Sequence, residues 1–313
     1  MNRTQYLEHL LAQRIVLLDG AMGTMIQSQD LDTDDYTFED RVALGCNEVL
    51  NLTRGDVIYQ IHRDYLNSGA DIIETNTFCA NAFNLAEYGL SDEVETIIQA
   101  ACEIAREAAA DHEANTEGYA FVAGSIGPTN RSLAFSPKVE DPAYRQSDYP
   151  AFLAMYRQQV KALLEGGVDL LLIETVFDTL VAKSAIQACV EEMEVQNRKV
   201  PIMVSVTFSD QSGRTLSGQT LSAFVTSLSA YPLFSLGLNC STGPEEMLPL
   251  IEELSTICPF YVSAHPNAGF PDKEGNYTLT AKQMAEQLLG LLKAGRLNIV
   301  GGCCGTTAEH IKA

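Results

Sequence analysis

The chain has 313 residues, 46% of them hydrophobic, and its 20 basic and 41 acidic side chains give a formal net charge of −21. This negative charge repels the phosphate backbone of nucleic acid and anionic membrane surfaces, so we expect neither as a partner. The sequence has no run of roughly 18 apolar residues that would cross a bilayer and no N-terminal signal peptide pattern, so we expect a soluble, cytoplasmic protein.

Eight short apolar runs recur along the chain, each bounded by Gly, Asp, Asn or Pro and separated from the next by segments with helical periodicity. This alternation is typical of a parallel sheet, and eight such units favour a closed (β/α)8 TIM barrel over an open doubly wound sheet. The predicted strands are 15–18, 71–74, 121–123, 169–174, 202–207, 235–238, 261–264 and 298–300.

The second and fourth predicted strands resemble each other. Gly-Ala-Asp-Ile-Ile-Glu-Thr at 69–75 echoes Gly-Val-Asp-Leu-Leu-Leu-Ile-Glu-Thr at 167–175, and each follows a helical stretch that ends in glycine. The echo indicates repeated β/α units. Apolar residues at spacings of three and four predict helices over 94–110, 151–165, 180–197 and 281–293.

Neither a linker nor a low-complexity tract divides the sequence, so we expect one domain over 1–313. Two polar excursions, 29–40 and 130–150, follow the first and third strands, and the second is expected to cover the barrel mouth. Residues 306–313 after the last strand would make only roughly 12 Å of helix. Such a short final helix leaves two interpretations open: a module cut from a larger polypeptide, or a free-standing protein.

Active sites of TIM barrels lie at the C-terminal ends of the strands, so the residues that follow each apolar run are the candidates for chemistry. These positions are rich in polar and metal-ligating side chains. They are Asp19, Thr75, Asn76, Ser125, Glu174, Asn239, Cys240, His265, Asn267, Cys303 and Cys304.

Three of the eight cysteines stand at such ends, Cys240 after one strand and the adjacent Cys303 and Cys304 after another. If the two strands lie close together, three thiolates with one open position describe a catalytic zinc site. Adjacent residues of a strand point to opposite faces, so both Cys303 and Cys304 can bind one ion only if the backbone leaves strand geometry, which the flanking glycines allow.

A closed structural site is the alternative, with His265 as fourth ligand of a zinc-stapled, non-catalytic binding protein. The remaining cysteines lack the regular spacing of a disulfide framework, and we expect them to pack as small apolar groups. They are Cys46, Cys79, Cys102, Cys189 and Cys258.

Two further positions favour an amino-acid ligand. Asp19 opens a turn in which Gly20 and Gly23 allow backbone N–H groups to approach a carboxylate, although a tight turn capped by the aspartate is also possible. Glu174 ends an apolar strand, where an ionised carboxylate is costly unless it is paired. A ligand ammonium would pair it, as would an internal salt bridge or a helix cap.

Six motifs together carry a resemblance to a known family. They are Asp-Gly-Ala-Met-Gly-Thr-Met-Ile-Gln at 19–27, Gly-Ala-Asp-Ile-Ile-Glu-Thr-Asn-Thr-Phe at 69–78, Gly-Pro-Thr-Asn-Arg at 127–131, Ile-Glu-Thr-Val-Phe-Asp-Thr at 173–179, Gly-Leu-Asn-Cys at 237–240 and Gly-Gly-Cys-Cys-Gly-Thr at 301–306. With them the chain resembles the homocysteine S-methyltransferase family, most closely the N-terminal homocysteine-binding module of its cobalamin-dependent methionine synthase branch.

The resemblance implies one Zn²⁺ held by Cys240, Cys303 and Cys304, and L-homocysteine held by Asp19, Glu174 and the region of Thr75 and Asn76. It also implies methyl transfer from methylcobalamin, charged by 5-methyltetrahydrofolate, on cobalamin-carrying and folate-binding modules or proteins. The sequence contains no phosphate loop or dinucleotide fingerprint for a large cofactor of its own. Betaine and S-methylmethionine, used by relatives that share the cysteines, remain alternative donors.

Overall fold

Eight parallel strands form one barrel sheet in the structure, a computed structural model that describes residues 1–208 and 212–313. The strands are β1 (Val16–Leu17), β2 (Ile72–Glu74), β3 (Phe121–Ile126), β4 (Leu170–Val176), β5 (Ile202–Val206), β6 (Ser235–Asn239), β7 (Tyr261–His265) and β8 (Ile299–Val300). Neighbours in sequence are neighbours in the sheet, and β8 pairs with β1. A parallel bridge from Leu18 to Ile72 joins β1 to β2, so the barrel predicted from the sequence is confirmed.

Each predicted strand coincides with an observed one, and the differences lie at the strand ends. β3 continues three residues beyond the predicted end at 123, because Gly124, Ser125 and Ile126 also pair with β4. β4 continues to Val176 through a register shift between Ile173 and Val176. Glycine and serine interrupt the apolar pattern, which explains why the sequence underestimated β3.

Helices surround the barrel. They are α1 (Arg3–Leu11), α2 (Gly23–Gln27), α3 (Leu50–Thr53), α4 (Gly55–Asn67), α5 (Ala82–Leu85), α6 (Val94–Glu113), α7 (Tyr149–Glu165), α8 (Thr179–Val195), α9 (Leu221–Leu228), α10 (Pro244–Ile257), α11 (Ala281–Lys293) and α12 (Ala308–Lys312), with 3-10 turns at Asn47–Val49 and Ala86–Tyr88. The four predicted helices are confirmed as α6, α7, α8 and α11. Side chains of Asp148, Asp178 and Thr280 accept N–H groups at the first turns of α7, α8 and α11, which explains where these helices begin.

Two apolar clusters hold the barrel together. One fills the space between the strands and the outer helices. The other fills the barrel interior, where Leu7, Leu10 and Leu11 of α1 belong to the same cluster as Phe121 and Leu170 from the strands. Helix α1 therefore contributes to the interior core as well as preceding the first strand.

The two excursions have different structures. The first leads into a short antiparallel hairpin of Thr37–Phe38 and Arg41–Val42, whose second strand lies just beyond residue 40. The second is anchored at its start by Asp178, whose Oδ2 accepts hydrogen bonds from the Ser132 hydroxyl at 2.6 Å and the Leu133 amide at 2.8 Å. Among residues 1–208 and 212–313, no helix is both long and apolar enough to span a membrane.

Candidate metal centre and substrate pocket

A cavity of about 640 Å³ lies at the C-terminal ends of the strands, where barrel enzymes carry their sites. All the residues predicted to bind zinc or substrate line it. They are Asp19, Gly20, Gly23, Thr75, Asn76, Glu174, Cys240, Cys303 and Cys304. Ser125, Asn239 and His265 from the strand-end candidates also line the cavity. Strand order therefore brings together residues that are far apart in sequence.

The three cysteines predicted as ligands converge. The sulfurs of Cys240, Cys303 and Cys304 lie within 4.8 Å of one another, and the Cys240 and Cys304 sulfurs are 3.9 Å apart. Tetrahedral zinc with Zn–S bonds of about 2.3 Å separates its sulfur ligands by roughly 3.8 Å, so the donor set fits the ion. In the described part of the chain, His265 does not join this cluster of mutually close donor atoms.

An unusual backbone conformation directs Cys240 into the cavity. Strand β6 ends at Asn239, and both Cys240 (φ 62°) and Ser241 (φ 63°) adopt the left-handed conformation, which is uncommon outside glycine. The Cys240 amide donates to the His265 carbonyl at 3.1 Å and so fixes the turn against β7. Such strained residues cost of order 1–3 kcal/mol each and cluster at functional sites.

The backbone also leaves strand geometry at Cys303 and Cys304, as the sequence predicted. Strand β8 ends at Val300, and the Cys303 amide donates to the Pro266 carbonyl at 2.9 Å. Gly305 has φ 78°, and a Cβ atom there would lie 2.2 Å from the Tyr277 ring. Only glycine therefore fits where the tyrosine packs on the cysteine loop.

The three thiols influence one another's protonation. Hydrogen bonds from Cys240 and Cys303 lower the pKa of Cys304 to about 3, which favours the thiolate form of this sulfur. The pKa of Cys303 is raised well above its usual value, because its hydrogen bonds with Cys240 and Cys304 favour the protonated thiol and because the group is buried. A cation at the centre would relieve the repulsion among three thiolates, which agrees with the fit of the donor set.

Asp19 presents a free acceptor at the cavity. Its Oδ2 accepts the Glu74 amide at 2.9 Å, whereas its buried Oδ1 has no hydrogen-bond partner among the described residues. Burial raises the pKa of Asp19 well above its ordinary value. Gly20 and Gly23 follow in the turn that leads into α2, whose first N–H groups have no partner within the helix. A ligand with a cationic and an anionic group suits this corner.

Glu174 is held in place by its neighbours. The Ser125 hydroxyl donates to Glu174 Oε1 at 2.6 Å. The next residue, Thr175, has φ 55° within the irregular part of β4, and Asn239 clamps it by accepting its amide at 2.9 Å and donating to its hydroxyl at 2.8 Å. Burial raises the pKa of Glu174, and neither lysine nor arginine of the described chain contributes to that shift.

Thr75 and Asn76 are largely committed to the scaffold. The Thr75 hydroxyl forms a 2.6 Å hydrogen bond with the Thr77 hydroxyl and accepts the Ser125 amide at 3.1 Å. The Asn76 side chain donates to the Asn47 carbonyl at 2.8 Å and to Asn51 Oδ1 at 3.1 Å. What these two side chains still offer to a ligand is oxygen lone pairs.

The sequence analysis missed three residues of the cavity region. Glu74 ends β2, lines the cavity and is hydrogen-bonded to the Glu174 side chain. The echo between 69–75 and 167–175 pairs these two glutamates and could have identified it. Glu48, in a 3-10 turn, accepts the Cys79 amide at 2.8 Å and contacts the Cys46 sulfur at 3.7 Å. Tyr277, which lies in a loop, is hydrogen-bonded to Cys304. Neither Tyr277 nor Glu48 directly follows a strand.

The other cysteines fall into two groups. Cys102 and Cys189 are buried in the core, as expected, and Cys258 is half-buried. Cys46 also belongs to the core, as expected, but it lines the cavity near Glu48 as well, and so does the half-buried Cys79. Burial raises the pKa of the Cys46 thiol to about 12, which keeps it protonated at neutral pH.

Comparison with known proteins gives consistent matches. Residues 16–313 match the family described as homocysteine S-methyltransferase. The homocysteine methyltransferase MmuM from Escherichia coli is similar over 98% of this chain and 97% of its own. In its metallated form the TM-score is 0.76 with 28% identity, and in its oxidized form 0.76 with 27% identity.

A more distant match concerns the fold alone. The carboxyl transferase domain of Rhizobium etli pyruvate carboxylase, with oxamate and biotin, has a TM-score of 0.51 and 12% identity, covering 96% of this chain and 42% of that one. Because the family match runs from the first strand to the end of the chain, this protein belongs to the homocysteine S-methyltransferase family.

Proposed function

We propose that this chain binds L-homocysteine and, with zinc held by Cys240, Cys303 and Cys304, activates its thiol for methylation to methionine. The observation that carries the proposal is the convergence of three cysteine sulfurs within 4.8 Å at a cavity large enough for an amino acid. With three protein ligands, a tetrahedral ion keeps one position for the substrate.

The chemical task is to ionise the substrate thiol. The thiolate is the nucleophile, but a free thiol with a pKa near 8.5 is only about 3% ionised at pH 7. When bound at the three cysteines, zinc supplies a Lewis acid that lowers the pKa of a coordinated thiol.

The carboxyl side chains of the cavity position the rest of the substrate. Asp19 Oδ1 and Glu174 accept hydrogen bonds from the substrate ammonium, and the turn of Gly20 and Gly23 donates backbone N–H groups to its carboxylate. Thr75 and Asn76 hold the wall between these contacts. Fixing both charged groups orients the sulfur toward the cysteines and makes the reaction effectively unimolecular.

We propose methylcobalamin, charged by 5-methyltetrahydrofolate and carried by another module or protein, as the methyl donor. The stretches Ile-Glu-Thr-Val-Phe-Asp-Thr at 173–179 and Ser-Gly-Arg-Thr-Leu-Ser-Gly-Gln at 212–219 resemble the cobalamin-dependent branch more than the relatives that use betaine or S-methylmethionine, and they contact each other. The Ser217 amide donates to the Phe177 carbonyl at 3.3 Å, and the Thr179 hydroxyl contacts the Gln219 side chain. Because Glu174 and Thr175 of the first stretch line the cavity, we expect an incoming donor to pass close to both stretches.

The carboxyl groups of the cavity favour a second candidate. Among the described residues, no lysine or arginine lines the cavity. The glutamates Glu48, Glu74 and Glu174 all line it. A donor with a cationic sulfonium or quaternary ammonium group, such as S-methylmethionine or betaine, suits this charge. The similarity to MmuM, a homocysteine methyltransferase, is compatible with either donor.

Zinc-edge X-ray absorption of the purified chain tests the proposal. We expect three sulfur ligands alone and four with L-homocysteine, because the substrate thiol fills the open position. Cys303→Ala should lose zinc and remain folded, whereas the control Cys258→Ala, at a half-buried cysteine away from the cluster, should retain it. An unchanged sulfur count on adding L-homocysteine would indicate a closed structural site. If the count rises to four, methylation assays with methylcobalamin, betaine and S-methylmethionine identify the donor.

A further inference from the structure

Three carboxyl groups, of which Asp19 and Glu174 are buried and Glu74 is half-buried, meet at one side of the cavity. Asp19 follows β1, Glu74 ends β2 and Glu174 lies on β4, and all three line the cavity. The Glu74 amide donates to Asp19, and the side chains of Glu74 and Glu174 are hydrogen-bonded to each other. Three ionised carboxylates without a cationic side chain would repel one another strongly in such a site.

The contact between the two glutamates requires a proton. An ionised carboxylate can only accept hydrogen bonds, so a carboxyl–carboxyl hydrogen bond needs one protonated partner. Glu174 already accepts the Ser125 hydroxyl at 2.6 Å, which favours its ionised form. Burial and the nearby charges of Glu174 and Asp19 raise the pKa of Glu74 well above its ordinary value, so Glu74 carries the proton.

A metal ion is the other cation that three carboxyl groups could attract. In the described residues, the cluster of mutually close metal-ligating atoms consists of the three cysteines and includes none of these carboxylates. The free acceptors, Asp19 Oδ1 among them, therefore suit an ammonium group better than a metal ion.

We propose that Glu74 is a positioning residue that, as a neutral acid, donates a hydrogen bond to Glu174 and holds this carboxylate toward the substrate ammonium. The inference rests on the proposed function, because it assigns the ammonium of L-homocysteine to this corner. This proton removes the charge repulsion between Glu74 and Glu174. Ser125 and Glu74 fix Glu174 from two sides, which leaves its remaining lone pairs for the ligand.

Calorimetric titration of the zinc-loaded full chain tests this role. The two ligands are L-homocysteine and 4-mercaptobutanoic acid, which has the same thiol and carboxylate but no amino group. We expect Glu74→Leu to weaken L-homocysteine about 10-fold, as for a lost hydrogen bond to a charged group, and the analogue by less than about 2-fold. Glu74→Gln keeps a donor toward Glu174 and should recover most of the loss.

Glu87→Leu is the matched control. Glu87 is an exposed carboxylate that lines the same cavity, so its replacement removes a negative charge without touching Glu174. It should not discriminate between the two ligands. Equal losses for both ligands in Glu74→Leu, or no loss at all, would overturn the positioning role while leaving L-homocysteine binding to the wild-type chain intact. If the wild-type chain binds no L-homocysteine, the proposed function fails and the inference with it.

Infrared spectroscopy gives a readout that does not depend on the leucine variant folding. The difference spectrum between the wild-type chain and Glu74→Gln should contain the carbonyl band of a protonated carboxyl group, and the corresponding difference with Glu87→Leu should not. A difference spectrum for Glu74→Gln without this band would place the proton elsewhere and overturn the inference.

Discussion

Gly305 shows how one residue controls the geometry of the cysteine loop. Its φ of 78° and the approach of the Tyr277 ring both exclude a larger side chain. Tyr277 in turn is hydrogen-bonded to Cys304. The glycine therefore permits a contact that fixes a proposed zinc ligand, and such outer contacts typically change metal affinity by 10–100-fold.

We expect Gly305→Ala to weaken zinc binding at least about 10-fold, because the new methyl group displaces either Tyr277 or the loop that carries Cys304. Competition with a chromogenic chelator measures the affinity. Gly295→Ala is the control, since Gly295 also has a positive φ of 64° but no atom within 4 Å of a new Cβ. Equal zinc affinities in the two variants would mean that the Tyr277 contact does not matter.

At the scale of single elements, α4 carries a feature that the cavity does not explain. His62 is fully buried in this helix, and neither ring nitrogen has a hydrogen-bond partner among the described residues. Burial lowers the pKa of His62 to about 4, so the folded protein holds it neutral. The unfolded chain binds that proton near pH 6.5.

The free energy of unfolding should therefore fall as the pH decreases from 6.5 to 4, because the unfolded state binds more protons in that window. At pH 5, His62 should lower the free energy of unfolding by about 2 kcal/mol relative to neutral pH. Urea unfolding at pH 7.5 and pH 5 measures it, and His62→Leu should show a correspondingly smaller loss. Replacing the exposed His9 by leucine provides the control; identical pH dependence of the wild type and His62→Leu would contradict the assignment.

Much of the element pattern could be predicted from the sequence, because each apolar run is short, bounded by turn residues and followed by helical spacing. Strand ends such as Cys240 and Cys303 then identify the cysteine cluster proposed to bind zinc. Glu48 and Tyr277 could not be found in this way, since a loop's path depends on tertiary contacts that periodicity does not encode. Glu74 could have been predicted, because the similar stretches 69–75 and 167–175 align it with Glu174.

At the scale of the whole molecule, stability and chemistry are located at different places. The interior cluster includes leucines of α1, whereas the residues of the proposed site follow the C-terminal ends of the strands. In TIM barrels the N-terminal face contributes mainly to stability and the C-terminal face to activity. Substitutions in α1 should thus alter stability without altering activity.

Leu7→Ala tests this separation. Leu7 is 1% exposed, and its truncation should lower the free energy of unfolding by about 3 kcal/mol, since a cavity remains in the core. The affinity for L-homocysteine at 25 °C should not change. Leu289→Ala, at a side chain 44% exposed on α11, should cost less than about 0.5 kcal/mol. A parallel fall in affinity in Leu7→Ala would show that the two ends of the barrel are coupled.

The order of the strands divides the rim of the barrel into two arcs of different chemistry. Oxygen acceptors from Asp19, Glu74 and Glu174 occupy the arc from β1 to β4, and the sulfurs of Cys240, Cys303 and Cys304 occupy the arc from β6 to β8. An occupant that satisfies both arcs needs a charged head and a sulfur tail at a fixed separation. The distance between the two arcs therefore selects the length of the substrate side chain. A thiol amino acid with a shorter side chain could contact the oxygen acceptors or the cysteine sulfurs, but not both.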